Sequence, residues 1–511
     1  MNTVKEMVLN ALINVLGPDW VTDDLSIRQA YSKDASLASV WRKHAKDPKT
    51  VPDIVALPSS TEEVQAVLRT ANRWGMKVVP VTTGSNMIGL CVPQHENCIV
   101  LDLKRMNRIL DVDVTNMTAT VQPYVSFARL QSETMKRGLW NGGTPLAPAV
   151  VGIVTNMMFN GIWQSCLAYG AGFRSLVNLK WVTPTGDVIN TGSRALPGAG
   201  NFWWHGPGPD LMGAFQFTHY GALGVFTEAT IKLHRWVGGD WPNEEKVYDH
   251  PQLPANHRIY FIDFQDFRQM NEAMYQISHA GIATHLETAM DAWNAFCSQP
   301  TQALSEKVFC EGVFPKHCIY VVIAGISSPR QIEYEEKVLR LIVARCGGRF
   351  RDDLRDVLAT WHGDAFRSGD TVRVTRHGGY AITRMGVSVI DTQEEYYKVQ
   401  REILAKFRHY KLDEEMPEMY ICDRGYWVIH ETDTYYDQGD KEQVKDSRGQ
   451  AKAAFVDYQK RDGLGWYIFV EPLTTIHGPN IGPDFHLRLK DIKRVFDPKD
   501  TMNPGKLVNM G

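Results

Sequence analysis

The sequence predicts an α+β protein of more than one domain, and three observations carry that reading. From Asp53 to about Trp236, short apolar β-like runs alternate with helical patterns. A linker containing Gly238, Gly239, Asp240 and several Pro and Glu residues then runs to Pro254. From Arg258 to about Phe407 the pattern restarts as two strand–helix–strand units. A chain of 511 residues exceeds one ordinary compact domain, so a division at that linker suits its length.

Residues 1–16 have amphipathic spacing and carry Glu6, which reads as a helix and not as a secretory leader. Residues 53–57 form a strand stopped by Pro58. Ser59 or Ser60 caps the following helix, with Glu62 and Glu63 in its first turn, Val64, Val67 and Leu68 on its apolar face, and Gly75 at its end. Strands follow at 77–81, 98–103, 109–114 and 118–122, then a helix at 127–136 closed by Gly138. Residues 142–172 are rich in small residues and have little periodicity. Residues 176–182 and 188–191 make a hairpin around Thr185-Gly186-Asp187. A short helix at 211–215 and a strand at 224–233 complete this half.

Beyond the linker, strands are expected at 259–264, 318–323 and 381–390, and helices at 267–280, 331–346 and 392–409. A further strand pair is expected near 426–430 and 466–470. The charged stretch 437–449 reads as a loop, and 484–496 as a last amphipathic helix.

Composition narrows the function. Apolar residues make up 44% and charged residues 22%, the balance of a globular protein with full cores. A net charge of -3 gives no field to attract nucleic acid or an anionic membrane. No run of about 18 uncharged apolar residues is present to span a bilayer. The eight cysteines form no CxxC pair, so scattered reduced thiols and a cytoplasmic location are expected.

The chain has no GxGxxG after a first strand, no GxxxxGK[ST], no HExxH and no GxSxG. It has a different Gly-rich loop after a strand, Val79-Pro80-Val81-Thr82-Thr83-Gly84-Ser85-Asn86-Met87-Ile88-Gly89. Such a loop can turn successive backbone N–H groups inward as a nest for a pyrophosphate, with Gly84 permitting close approach.

Three further strings follow in order: 99–110, Gln122-Pro123-Tyr124-Val125, and Gly208-Pro209-Asp210-Leu211 leading to Tyr220-Gly221-Ala222-Leu223-Gly224-Val225. Between the last two lie Tyr169-Gly170 and Gly186-Asp187-Val188. This set resembles the FAD-binding domain of the vanillyl-alcohol oxidase and p-cresol methylhydroxylase flavoproteins. The tail Asp497-Pro498 to Asn503-Pro504-Gly505-Lys506 resembles the C-terminus of the glycolate oxidase and D-lactate dehydrogenase members.

The resemblance implies a two-part FAD-binding domain, residues 1–236 completed by 471–511. An α/β cap, residues 237–470, would lay an antiparallel sheet over the flavin. It implies that Pro80, Thr82, Thr83, Gly84, Ser85, Asn86 and Met87 cradle the pyrophosphate. Thr155 and Asn156 would sit near the diphosphate or isoalloxazine. Gly221, Gly224 and Val225 would lie against the cofactor where side chains are missing. Asn503 and Lys506 would reach the ribityl chain or the pyrimidine edge.

Departures from the family limit the substrate. No His lies between Val79 and Gly89 for covalent FAD attachment in that loop. The Tyr and the Tyr-Arg pair expected around a phenolate are absent; Gly89 and Ile476-His477-Gly478-Pro479 stand there. The metal-ligand string of hydroxy-acid members is replaced by His430-Glu431-Thr432-Asp433, so no metal is expected.

The implied chemistry is hydride transfer from an alcohol, hydroxy acid or benzylic carbon of a small-molecule substrate to FAD, with a base taking the proton. His477 leads as that base, since neutral His titrates near pH 7; His430, Tyr426 and Arg384 follow. Arg373, Arg376 and Arg384 are candidates to grip a substrate carboxylate. Trp203, Trp204, Tyr435 and Tyr436 are candidates for an aromatic pocket lining. A protein electron acceptor (a cytochrome or iron–sulfur subunit) and a homo-oligomer are expected by resemblance. The alternative is a non-catalytic flavin-binding or assembly subunit of a larger redox complex.

Overall fold

The structure is a computed structural model describing residues 4–34, 50–85, 89–143, 150–159, 161–239, 254, 256–299, 301–357, 379–407, 415–437, 439–454 and 484–510. Its first sheet has four strands in the order Val21–Thr22, Ile54–Ala56, Cys98–Asp102 and Lys77–Val81. The last three are parallel, and Val21–Thr22 lies antiparallel on the outer edge. Cys98–Asp102 is buried along its whole length, as a central parallel strand must be when both faces are covered.

The crossover helix Thr61–Trp74 starts where Ser60 accepts the Glu63 N–H and stops at Gly75 in the left-handed region, φ 70°. It buries Val64, Val67, Leu68 and Ala71, an i, i+3, i+4, i+7 stripe. Helix Val4–Leu16 adds Val8, Leu12 and Leu16 to the same core.

The second sheet is antiparallel, in the order Ile109–Asp113, Thr118–Val121, Val225–Lys232, Leu176–Val182 and Val188–Asn190. Val182 and Val225 enter the core of the first sheet, so the two sheets pack as one unit. The C-terminal tail returns to this unit: Met502 bridges Val78 in parallel, with Val78 N–H donating to Thr501 O (2.8 Å) and Asn503 N–H to Val78 O (2.8 Å).

One buried ion pair fixes that return. Lys493, near the end of helix Phe485–Phe496, donates from Nζ to Asp497 Oδ2 (2.6 Å), Ala222 O (2.8 Å) and Met502 O (2.7 Å). Asp497 also accepts the Thr501 and Met502 N–H groups at 2.8 and 2.7 Å.

The third sheet has seven antiparallel strands in the order Arg349–Phe350, His257–Asp263, Cys318–Ala324, His285–Thr288, Glu418–Cys422, Trp427–Tyr436 and Gly379–Ser388. Side chains alternate between its faces. Leu286, Val321, Met419, Ile421 and Val428 share one core with Met270, Ile277 and Leu339 of helices Phe267–His279 and Pro329–Arg345. On the other face, Tyr420, Cys422 and Ile429 join Met157, Trp163 and Cys166 of the N-terminal half. One sheet thus presents one face to its own helices and the other to the FAD-type unit.

Two expectations change. Residues 437–449 are not a loop: helix Lys441–Lys452 is capped by Asp440, which accepts the Glu442 and Gln443 N–H groups. It buries Ser447, Gln450 and Ala451, so its packed face is small and polar and leaves no apolar stripe to read. Strands His285–Thr288 and Glu418–Cys422 and helices Asp291–Ser298 and Gln302–Cys310 lie where no element was expected. The expected strand at 466–470 lies outside the described residues.

Asp497→Ala removes the nearer of two carboxylates from the buried Lys493 ammonium and leaves Asp500 at 3.3 Å, which is expected to cost about 3 kcal/mol. Urea unfolding read by circular dichroism checks it; a loss under about 1 kcal/mol would mean that the pair does not hold the tail.

Candidate functional site

A cavity opens between the first two sheets, lined by Pro80, Thr82, Leu90, Cys91, Thr155, Gln216, His219, Tyr220, Gly221, Gly224, Val225 and Asn503, among others. Pro80 and Thr82 come from the end of strand Lys77–Val81 and its loop. Thr155 comes from the short helix Ile153–Met158, Gly221 and Gly224 from the turn before strand Val225–Lys232, and Asn503 from the tail.

Side chains fasten these walls together. Thr82 Oγ1 and Thr155 Oγ1 lie 3.0 Å apart in a hydrogen bond, and Gly152 N–H donates to Thr83 Oγ1 at 3.1 Å. Asn503 Nδ2 donates to Tyr220 O at 2.6 Å, and Lys506 Nζ to Gly89 O at 2.9 Å.

Seven residues expected to hold the cofactor therefore line one cavity: Pro80, Thr82, Thr155, Gly221, Gly224, Val225 and Asn503. Thr83, Gly84 and Ser85 stand beside it in the first loop. Gly84 has φ +70° and open space where a side chain would begin, as close backbone approach requires. Asn86 and Met87 lie outside the described residues.

Three of the expected cofactor contacts also meet neighbouring protein. A Cβ on Gly221 would meet Pro80 at 2.6 Å, and one on Gly224 would meet Val182 O at 2.3 Å. Close approach of neighbouring protein by itself requires glycine at both positions. Lys506 is buried, and its ammonium serves the Gly89 carbonyl.

The cavity also holds polar groups that the sequence did not single out. Gln216 is fully buried, and neither amide atom has a partner among the described residues; the same is true of Asn503 Oδ1. His219 Nδ1 accepts the Leu223 N–H at 3.3 Å, so its proton sits on Nε2. Burial, helped by Lys493, holds His219 down at about 4, so the ring is neutral. Burial pushes the Cys91 thiol up to about 12, so it is an un-ionised wall and not a nucleophile.

A second polar cluster lies on the seven-stranded sheet, on the face turned to the N-terminal half. Glu287 stands opposite Tyr320 and Tyr420, and Glu418 opposite Glu431; Asp433 follows Glu431 on the same face. Ser165 N–H, from the N-terminal half, donates to His285 Nδ1 at 3.2 Å, and His285 Nε2 meets Glu287 Oε2 at 2.6 Å. The backbone donor forces the ring proton onto Nε2, which therefore donates to Glu287. Glu287 is fully buried, and its Oε1 has no partner among the described residues.

Tyr420 Oη donates to Glu418. Burial raises the Glu287 carboxyl, opposed by the His285 hydrogen bond. Burial also raises Glu431, to about 7, opposed by a hydrogen bond with Glu418 and reinforced by the Glu287 charge.

The sequence-derived catalytic candidates do not meet at this face. His430 points the other way, toward the helices, beside Tyr396, Gln393 and Ser388, and burial with nearby Arg384 holds it well below its usual range. Arg384 shares that side, donating to Tyr396 O at 2.8 Å and stacking 3.6 Å over its ring. Tyr426 is 84% exposed on a turn. His477, Arg373 and Arg376 lie outside the described residues.

Trp203 and Trp204 are exposed, and Lys232 lies 4.3 Å over the Trp203 ring; neither lines the cavity described above. Tyr435 is core, and Tyr436 is buried. One signal was available: in strand Trp427–Tyr436, placing His430 on one face puts Glu431 and Asp433 on the other.

Residues 52–192 match the FAD binding domain family, and residues 480–507 the C-terminal domain of FAD linked oxidases. Glycolate oxidase subunit GlcD of Bacillus subtilis is 30% identical over 230 residues, 45% of either chain. The 4-cresol dehydrogenase [hydroxylating] flavoprotein subunit of Pseudomonas putida is 31% identical over 176 residues, 33% of either chain. The matches span about half or less of these relatives. Among solved structures, p-cresol methylhydroxylase with substrate bound superposes with a TM-score of 0.81 at 18% identity, covering 100% of this chain and 98% of that one. The 4-ethylphenol oxidase of Gulosibacter chungangensis gives 0.77 at 17% identity, covering 98% and 96%.

The residues present fit FAD. A cavity whose buried Gln216 and Asn503 have unmet hydrogen bonds suits a polar ligand, and the open loop at Gly84 suits a phosphate. Gln216→Leu keeps the shape and removes the unmet amide. It is expected to weaken FAD binding roughly tenfold while leaving the apoprotein as stable or more so. Flavin fluorescence titration and apoprotein melting check both halves; unchanged FAD affinity would remove Gln216 from the site.

Proposed function

From the premise that the chain belongs to the FAD-linked oxidases, we propose that it oxidises a small alcohol, hydroxy acid or benzylic carbon where the seven-stranded cap sheet meets the FAD-binding domain, with Glu287 taking the proton. Bound FAD supplies the acceptor for the two electrons and hydrogen that leave the substrate carbon. Thr82 to Ser85, Thr155, Gln216 and Asn503 hold it, and Asn156 stands beside Thr155 on the same helix.

The observation that carries the reading is the arrangement of the Glu287 carboxylate. One oxygen is fixed by His285, whose tautomer is set by a backbone N–H; the other is buried without a partner among the described residues. A carboxylate so held is oriented and poorly solvated, which makes it a stronger base than in water. The substrate proton passes to Oε1 of Glu287, while His285 holds the other oxygen, its Nδ1 committed to accepting from Ser165. Glycolate oxidase and 4-cresol dehydrogenase, by their names, act on a hydroxy acid and a methylphenol, which supports the substrate range. Both are named as subunits, which supports a protein electron acceptor.

The base works only when ionised. Because burial raises Glu287, the rate is retained at high pH and falls as pH drops through that raised value, above the usual carboxylate range. Glu287→Gln is expected to keep the fold and bound FAD but slow anaerobic flavin reduction by roughly 10²–10⁴-fold, using an alcohol or hydroxy acid that bleaches the wild type. The acid limb of the pH profile should vanish with it. Wild-type reduction rates in this variant would refute the assignment.

A further inference from the structure

A second cavity, of about 290 Å³, opens between the turn before strand Val225–Lys232 and the C-terminal helix Phe485–Phe496. Phe215, Phe217 and Leu223 form one wall, Leu489 and Ile492 of the helix another, and Leu507 and Val508 of the tail a third. None of the described lining residues is Asp, Glu, Lys or Arg. An apolar cavity of about 150 Å³ holds benzene, so this one has room for a fused pair of rings.

Two imidazoles interrupt the apolar lining. His219 lines this cavity and the cofactor cavity alike, as does Tyr220, so the two side chains stand as a partition between them. His219 is 6% exposed and its Nδ1 is committed to the Leu223 N–H; its Nε2–H has no partner among the described residues. The residues on either side of it, Thr218 and Tyr220, hold φ of 56° and 54°, a left-handed backbone that strains any residue but glycine. That strain fixes where the ring stands. His486, in the first turn of the helix, also has a buried Nδ1 without a partner among the described residues. A buried donor with no acceptor is costly, and a ligand that brings one removes the cost. With His219 held neutral by burial and no acidic or basic chain beyond the imidazoles, the lining favours an uncharged ligand.

We propose that this cavity binds a small uncharged aromatic molecule carrying a hydrogen-bond-accepting oxygen, with His219 Nε2–H as the donor to that oxygen. The ligand would press on one side of the partition whose other side walls the cofactor cavity. The site is independent of the role given to Glu287, which lies on the cap sheet and lines neither cavity.

The test titrates 2-acetylnaphthalene into FAD-loaded protein by isothermal calorimetry, with naphthalene and 2-naphthoate as controls. The expected result is one molecule of the ketone bound per chain. Naphthalene, which lacks the acceptor, should bind roughly five- to tenfold more weakly, and the charged 2-naphthoate more weakly than the ketone. Leu489→Trp fills the cavity from the helix side, away from the cofactor cavity, and should abolish ketone binding while the flavin absorbance is kept. Val508→Phe replaces it if it fails to fold. Absence of binding up to millimolar ketone overturns the proposal, as does naphthalene or 2-naphthoate binding as tightly as the ketone, or ketone binding that survives the filled cavity. Displacement of the ketone by FAD from flavin-free protein also overturns it, since the cavity would then belong to the cofactor. Bound flavin without ketone binding refutes only this second site.

Discussion

The Lys493–Asp497 pair is the constraint on which the cofactor-binding half depends. A single ammonium reaches two carboxylates, Asp497 and Asp500, and two carbonyls, one in the tail and one in the turn before strand Val225–Lys232. A buried charge tolerates little displacement of its partners, since losing one leaves the rest uncompensated. The tail is therefore held so that Met502 extends the parallel sheet and Asn503 reaches the Tyr220 carbonyl. Two walls of the cavity, some 280 residues apart in sequence, are positioned by one side chain.

The seven-stranded sheet works by a different rule. Its helix-facing side is apolar, a conventional core of Leu286, Val321, Met419 and Val428 against three helices. Its other side carries His285, Glu287, Tyr420, Glu418, Glu431 and Asp433. A surface like that is not stable for its own sake: each carboxylate removed from water costs several kcal/mol unless protonated or paired. The sheet can carry it because the opposite face, and the apolar residues Ile259, Phe261, Val322 and Ile429 around the cluster, supply the apolar burial. The polar residues are thus one patch, set apart from the apolar core that surrounds and backs it.

That division explains what could be read from the sequence. The first Gly-rich loop, the capped helix Thr61–Trp74 and the hairpin at Thr185-Gly186-Asp187 all carry local signals, and the structure has them where the signals lie. Gly84 was legible because a left-handed turn requires glycine. Gly221 and Gly224 were legible as positions but not as causes, since their close contacts come from Pro80 and Val182, which are distant in sequence. Strands His285–Thr288 and Glu418–Cys422 do alternate, Leu286, Met419 and Ile421 against His285, Glu287, Glu418 and Tyr420, but over only four or five residues and with the polar positions turned inward, too short a pattern to stand out. The elements hardest to see were those that carry the candidate chemistry.

The misplacement of His430 follows from the same cause. A His beside acidic residues in a strand invites the reading that all serve one site. In an extended chain, adjacent residues face opposite ways, so His430 and Glu431 belong to different surroundings: one to the packing beneath helix Gln393–Phe407, the other to the boundary with the cofactor domain. His285 and Glu287, by contrast, are two apart and share a face, and a backbone N–H from the other domain fixes how the ring can donate. The useful histidine is the one whose tautomer is dictated by a group across the domain boundary. That makes the orientation of the Glu287 carboxylate a property of the closed assembly of cap on cofactor domain, not of the cap alone: without Ser165 in place, nothing in the strand prevents the imidazole from turning its proton away.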